Sequence, residues 1–171
     1  MMGQLAFDNF TKKIYIKAPI QKLYWCWATV EGIESWFLKK AIYTSSEEKI
    51  RKPTEHIQSG DSYTWQWHNW EGQEKGKVLY ANGKDSIEIS FTDSKVMVSF
   101  EEKKNAVLLT LRQYGIPTDE QSKLNIHYGC SNGWTFWLTN LKAYIEHGIL
   151  LNETEFDLGN NTLAGFEFVN I

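Results

Sequence analysis

Proline, cysteine and long apolar runs are all scarce in this sequence. Its 171 residues include three prolines and two cysteines. No apolar run approaches the roughly 20 residues that a membrane-spanning helix needs, so we expect no membrane insertion. The stretch from Met1 to Phe10 has no basic segment followed by an apolar core, so it does not have the form of a secretory signal.

The two cysteines, Cys26 and Cys130, lie far apart and fit no metal-ligand or CxxC spacing. One disulfide between them is one interpretation. Without an export signal, two reduced thiols are favoured, because disulfides persist mainly in oxidising compartments. The sequence therefore predicts a cytoplasmic protein.

A basic excess is missing as well. The chain has 18 lysines and arginines against 21 aspartates and glutamates, which gives a net charge of −3. Nucleic-acid-binding domains usually carry a basic patch or a high isoelectric point, whereas the value here is about 5.8. We therefore expect no nucleic-acid partner.

Motifs for catalysis and metal binding are also absent from the sequence. The four histidines, at positions 56, 68, 127 and 147, form no HxH or HxxxH pair. There is no GxSxG nucleophile motif and no glycine-rich phosphate loop. We predict no metal site, no cofactor and no catalytic residue, which favours a binding protein over an enzyme.

Aromatic residues, by contrast, are abundant. The chain has 8 tryptophans, 8 tyrosines and 9 phenylalanines, together 15% of the sequence. Such a composition excludes a disordered chain. The length favours one domain, and we expect it over residues 1–150, followed by a C-terminal tail at 151–171.

The periodicity of apolar residues predicts the elements of this domain. A helix begins at Ile20, after Pro19, and a short helical turn follows at Ile33–Phe37. Alternation of apolar and polar side chains predicts strands at 10–17, 63–67, 76–80, 87–91, 96–100 and 109–113. The short turns between the later strands make them antiparallel neighbours.

A long amphipathic helix is expected near the C-terminus. Trp134, Leu138, Leu141 and Ile145 share one face, and His147-Gly148 is a typical stop. Thr139, Asn140, Lys142 and Glu146 are expected on the solvent-exposed face. In the tail, Phe166 and Phe168 predict either a short added strand or an apolar patch.

These elements predict an α+β fold in which a curved antiparallel sheet wraps around the long C-terminal helix, with two short helices after the first strand. A sheet with one apolar face needs a cover, and this helix is the available one. The space between the two layers is the expected place for a cavity.

Two motifs resemble those of the Hsp90-ATPase-activator-like proteins of the START-like (SRPBCC) superfamily. The opening motif comprises Ala18-Pro19-Ile20, Trp27 and Ile33-Glu34-Ser35-Trp36-Phe37. The closing motif comprises Gly133-Trp134 with Leu138, Leu141, Lys142 and Ile145. The resemblance covers about residues 10–150 and implies a helix-grip fold more directly than any one activity.

The sequence departs from that family at two strand positions. Gln113 stands where many members have histidine, and Phe91 replaces the usual tryptophan. The first departure removes a candidate proton-transfer group and so weakens the case for an enzyme.

The candidate ligand-binding residues lie on the two facing surfaces of the predicted sheet and helix. They are Trp36, Phe37, Tyr63, Trp65, Trp67, Ile89, Phe91, Val98, Phe100, Leu109, Leu111, Gln113, Trp134, Trp137, Leu138 and Leu141. Either these side chains simply fill a core, or they line a hollow pocket with Gln113, Tyr63 and the Trp N–H groups as its polar groups.

Three functions are compatible with this pattern. We favour a protein that binds a hydrophobic small molecule, either aromatic or lipid-like, in the cavity. The alternatives are a START-like enzyme of the cyclase or hydrolase type and an interaction protein that contacts a chaperone. The protein is expected to be a monomer or a homodimer.

Overall fold

The computed structural model describes residues 5–171. Its strands are β1 (Asn9–Ile16), β2 (Lys40–Thr44), β3 (Ser62–Gln66), β4 (Glu74–Ala81), β5 (Ser86–Phe91), β6 (Ser94–Lys103) and β7 (Ala106–Tyr114). Its α-helices are α1 (Ile20–Ala28), α2 (Val30–Glu34), α3 (Glu120–Ser122), α4 (Gly129–His147) and α5 (Ala164–Glu167). A π-helical segment, Lys123–Tyr128, joins α3 to α4.

The seven strands form one antiparallel sheet in the order β1-β7-β6-β5-β4-β3-β2. The sheet, the long C-terminal helix and the two short helices after β1 confirm the predicted α+β helix-grip fold. Strand β2 was not predicted. Its inward residues, Ala41 and Tyr43, are buried, and β2 pairs with β3 at the edge of the sheet.

The hairpin between β4 and β5 turns at Asn82-Gly83. Gly83 has a φ of 73°, a conformation that glycine adopts without strain. The Asn82 Oδ1 atom accepts hydrogen bonds from the N–H groups of Lys84, Asp85 and Ser86 at 3.0–3.1 Å. This turn joins β4 to β5, whose pairing shifts register once, between Val78 and Tyr80.

The C-terminal helical region is longer than predicted. It begins at Asp119, whose Oδ1 accepts a hydrogen bond from the Ser122 N–H at 3.0 Å, and runs through the π-helical segment into α4. It ends at Gly148, whose φ of 67° confirms the predicted stop. Trp134, Trp137, Leu138 and Leu141 are buried, as expected for the face toward the sheet.

The expected exposure of Asn140 is wrong, because the side chain is fully buried. Its Nδ2 donates to the Trp36 carbonyl at 2.7 Å, and its Oδ1 accepts from the Leu151 N–H at 2.7 Å. The chain after Gly148 turns back along α4 and covers this position. A polar residue on the outer helix face therefore serves as an anchor for the tail.

Of the two alternatives for the tail, the short added strand is not formed. Phe166 lies in helix α5, and residues 151–171 contain no strand. The tail contacts the helical layer and a loop instead of extending a sheet edge: Leu158 N–H donates to the Asn69 carbonyl at 2.7 Å, and Phe166 stacks on Tyr128. The boundary at residue 150 stays a prediction, and residues 1–4 of the predicted domain lie outside the described part.

Candidate functional site

Most of the sheet–helix interface is filled. Eleven of the sixteen candidate residues pack into the buried core and do not line the cleft described below. They are Trp36, Tyr63, Trp65, Ile89, Val98, Phe100, Leu109, Leu111, Gln113, Leu138 and Leu141. The interface is therefore packed over most of its length, and the space left for a ligand is local.

That space is an open cleft of about 100 Å³ between the sheet and the first half of α4. Its lining comprises Phe37, Trp67, Phe91, Cys130, Gly133, Trp134 and Trp137. Five of these are predicted candidates, whereas Cys130 and Gly133 were missed. Helical spacing could have identified both, because positions 130, 133, 134 and 137 share one helix face.

The aromatic walls of the cleft meet at Phe37. Its ring centroid lies 4.8 Å from that of Trp137, 5.5 Å from that of Trp134 and 5.8 Å from that of Trp67. The rings of Trp67 and Trp137 are steeply inclined to Phe37, at 83° and 72°. Both of these pairs are edge-to-face, an arrangement that aromatic side chains prefer.

The two predicted polar groups are engaged within the protein. Gln113 Nε2 donates to the Ser94 Oγ, and Gln113 Oε1 accepts from the Trp134 Nε1, both at 2.9 Å. The Tyr63 hydroxyl donates to the Ser90 carbonyl at 2.6 Å, and burial raises its pKa. Neither side chain lines the cleft, so the predicted role of both as polar contacts for a ligand has no geometric support.

One indole N–H lacks a partner. Within the described chain, Trp27 Nε1 is the buried side-chain nitrogen or oxygen left without a hydrogen bond. The Trp27 ring lies 5.8 Å from Trp134, beneath the cleft wall. Trp36 and Trp65 satisfy their N–H groups through the Cys26 carbonyl and the Tyr43 hydroxyl.

A carboxylate that the sequence analysis missed lies beside the cleft. Glu74 is the Cα partner of Trp65 across β3 and β4, so both side chains point to the inner face of the sheet. Its Oε1 accepts a hydrogen bond from the Thr92 N–H at 2.7 Å. Burial raises the pKa of Glu74 above its ordinary value, the Thr92 hydrogen bond opposes this, and Asp93 adds to it.

No metal site or membrane span was found in residues 5–171. No three His, Cys, Asp or Glu side chains of this part come together as a metal-binding group. None of its helices is both long and apolar enough to span a bilayer.

Comparison with known proteins places this chain in a family. Residues 17–146 match the family model described as Activator of Hsp90 ATPase homolog 1-like protein (AHSA1). The chain belongs to the AHSA1-like family. The match spans both motifs that suggested the resemblance. No curated protein matches the sequence.

Solved structures support the same fold for this AHSA1-like chain. Protein SSP2350 from Staphylococcus saprophyticus is 17% identical, with a TM-score of 0.67 over 84% of this chain and 95% of that one. The Aha1 dimer from Colwellia psychrerythraea is 16% identical, with a TM-score of 0.63 over 82% and 97%. CalU16 from Micromonospora echinospora is 19% identical, with a TM-score of 0.61 over 82% and 77%. At these identities the likeness concerns the fold alone.

Both thiols of the AHSA1-like chain are free, and both are poorly ionised. Burial raises the pKa of Cys130 from 9.0 to about 11; a hydrogen bond with Gln113 opposes the rise, and the charge of Glu74 adds to it. Burial raises the pKa of Cys26 to about 12. At neutral pH, neither thiol of the AHSA1-like protein is an activated nucleophile.

The alkylation of Cys130 should therefore depend steeply on pH. The thiolate is the reacting form, so the iodoacetamide rate at Cys130 should rise about tenfold per pH unit between pH 7 and 10. Free cysteine, measured alongside, should level off above its own pKa of about 8.5. Mass spectrometry of the native protein would follow both thiols, and Cys26 should stay unmodified. A rate at Cys130 that levels off by pH 9 would contradict the raised pKa.

Proposed function

We propose that the protein binds a small apolar or aromatic group in the cleft between the sheet and α4. The supporting observation is the cleft itself. It is open to solvent, and five of its seven described lining residues are aromatic, in a core that is otherwise filled. Binding sites for small ligands are concave and mainly apolar in this way.

The volume of the cleft limits the size of the ligand group that it can hold. Drug-sized ligands occupy pockets of about 300–1,000 Å³, whereas an apolar cavity of about 150 Å³ is known to bind benzene. A cleft of about 100 Å³ therefore takes one ring or a short branched alkyl group. A larger lipid-like or polyketide-like ligand would place one end in the cleft and leave the rest outside.

A titration with ring-sized probes tests the proposal. Toluene should change the intrinsic tryptophan fluorescence in a saturable way, because three tryptophans line the cleft. Gly133→Leu should weaken that binding by about tenfold or more, since a Cβ at Gly133 meets open space and the longer side chain would fill the cleft.

Thr139→Leu is the matched control, because it adds a leucine at an exposed position of the same helix. It should bind toluene as the wild type does. Absence of saturable binding in the wild type, or equal binding in Gly133→Leu, would refute a site in this cleft.

A chaperone-accessory role is the second proposal. It is supported by the family match and by the exposed side chains of Phe166 and Phe168 on the tail. We expect the purified protein to stimulate a chaperone ATPase and Phe166→Ser to reduce that stimulation. An unchanged ATPase rate would exclude this role.

An enzymatic role is the third candidate. Glu74 is the one carboxylate beside the cleft that we identify in the described chain, and the nearby Cys130 is protonated.

The cellular context is part of the proposal. A cytoplasmic location is supported by the two free cysteines. The Colwellia relative is a dimer, and a homodimer is the corresponding proposal for this chain.

A further inference from the structure

We infer that the cleft selects a cation: it takes the alkylammonium end of a ligand, with the aromatic walls around the positive charge and Glu74 as the counter-charge. This inference rests on the proposed ligand-binding function and names its ligand class.

The walls are suited to a cation. The face of an aromatic ring carries negative electrostatic potential, and tryptophan binds cations best among the aromatic side chains. Trp67, Trp134 and Trp137 line one small cleft together with two phenylalanines. None of the seven described lining residues carries a formal charge, so nothing in the lining repels a positive group.

Glu74 lies next to these walls. Its Cα partner Trp65 has its ring centroid 6.1 Å from Phe91 and 6.5 Å from Trp67, two residues of the cleft lining. The N–H that binds its Oε1 belongs to Thr92, the residue after Phe91. The charge of Glu74 also acts on the Cys130 thiol of the opposite wall. Glu74 is not itself a lining residue, and its hydrogen bond to the Thr92 N–H holds the carboxylate beside the sheet side of the cleft, next to Phe91.

The carboxylate lacks a cationic partner. Within residues 5–171, no lysine, arginine or histidine forms an ion pair with Glu74. The contrast is Asp61, which is buried and held by Arg51 through two hydrogen bonds of 2.9 Å. A partly buried carboxylate without a counter-charge is unfavourable, and a bound cation would relieve that cost.

Size does not decide between a cationic and a neutral ligand, because a trimethylammonium group and a tert-butyl group have nearly the same shape. The test therefore compares choline with 3,3-dimethylbutan-1-ol, its uncharged carbon isostere. Titration of the full chain, followed through the Trp indole N–H signals in ¹H–¹⁵N spectra, gives both affinities. We expect choline to bind about fivefold or more tightly than the alcohol.

The variant Glu74→Gln should lower the affinity for choline by about fivefold and leave that for the alcohol unchanged. The glutamine oxygen can still accept the Thr92 N–H bond, so we expect the fold to be retained. Glu101→Gln removes an exposed charge on β6 and is the matched control, with no expected change in either affinity.

The outcomes separate the two proposals. If the alcohol binds as tightly as choline, selection of a cation is overturned and the proposed apolar cleft stands. If the preference for choline is the same in Glu74→Gln as in the wild type, the role of Glu74 is overturned. If neither choline, the alcohol nor toluene binds, both proposals fall.

Discussion

Replacing Gly32 by alanine is expected to destabilise the fold by about 3 kcal/mol or more. Gly32 lies in α2, and a Cβ there would be 1.9 Å from the Trp25 carbonyl oxygen, 2.7 Å from its carbon and 2.8 Å from the Cys26 Cα. All three atoms belong to the backbone of α1, so no side-chain rotation relieves the clash. Alanine favours helices over glycine by about 1 kcal/mol, and the clash reverses that gain.

Urea unfolding followed by tryptophan fluorescence would measure the loss. Gly133→Ala is the matched control, because it also lies inside a helix but its Cβ meets nothing within 4 Å. This variant should gain about 0.5–1 kcal/mol from helix propensity. If both variants unfold at the same urea concentration, the close approach of α2 to α1 is not as described.

The second large effect is expected for Trp134→Ala, which should lower the free energy of unfolding by about 3–5 kcal/mol. Trp134 is 2% exposed and has ring contacts with Trp27, Phe37 and Phe91. Its removal leaves a large void and deprives Gln113 Oε1 of its N–H donor in the core.

Two further variants show which parts of the Trp134 side chain account for the lost stability. Trp134→Phe keeps a six-membered ring but loses the N–H and part of the ring volume, so its cost of about 1–3 kcal/mol sets an upper limit on the Gln113 interaction. Trp70→Ala removes a half-buried tryptophan stacked on Trp67 and should cost only about 1 kcal/mol. Equal losses for Trp134→Ala and Trp70→Ala would contradict the central position of Trp134.

The elements with strong periodicity were predictable. Strands such as β5 alternate cleanly between buried and partly exposed residues, and the buried face of α4 repeats at helical spacing. Strand β2 was missed because it follows directly on a helical turn and has only two buried residues, Ala41 and Tyr43. The burial of Asn140 could not be predicted, since it depends on a tail that returns from outside the helix.

The site was predictable as a surface but not as a cleft. Periodicity assigns Phe91 and Phe100 to the same inner face, yet only Phe91 borders the cleft while Phe100 is packed elsewhere. The position of a gap between two packed layers depends on how side chains fit together in three dimensions. The local alternation of apolar and polar residues does not encode that fit. The inward direction of Glu74 could have been predicted, because positions 74, 76 and 78 of β4 alternate onto the same face of the sheet.

The pairing of β1 has a consequence for how the chain is synthesised. Asn9 pairs with Tyr114 and Ile16 with Val107, so the first strand of the chain finds its partner in the last. Because synthesis proceeds from the N-terminus, β1 has no strand to pair with until β7 has left the ribosome. Lys12 and Lys13 lie within this unpaired strand. Charged side chains on an exposed strand discourage its pairing with other chains. The sheet is therefore completed only after all seven strands have emerged, while α4 and the tail still follow.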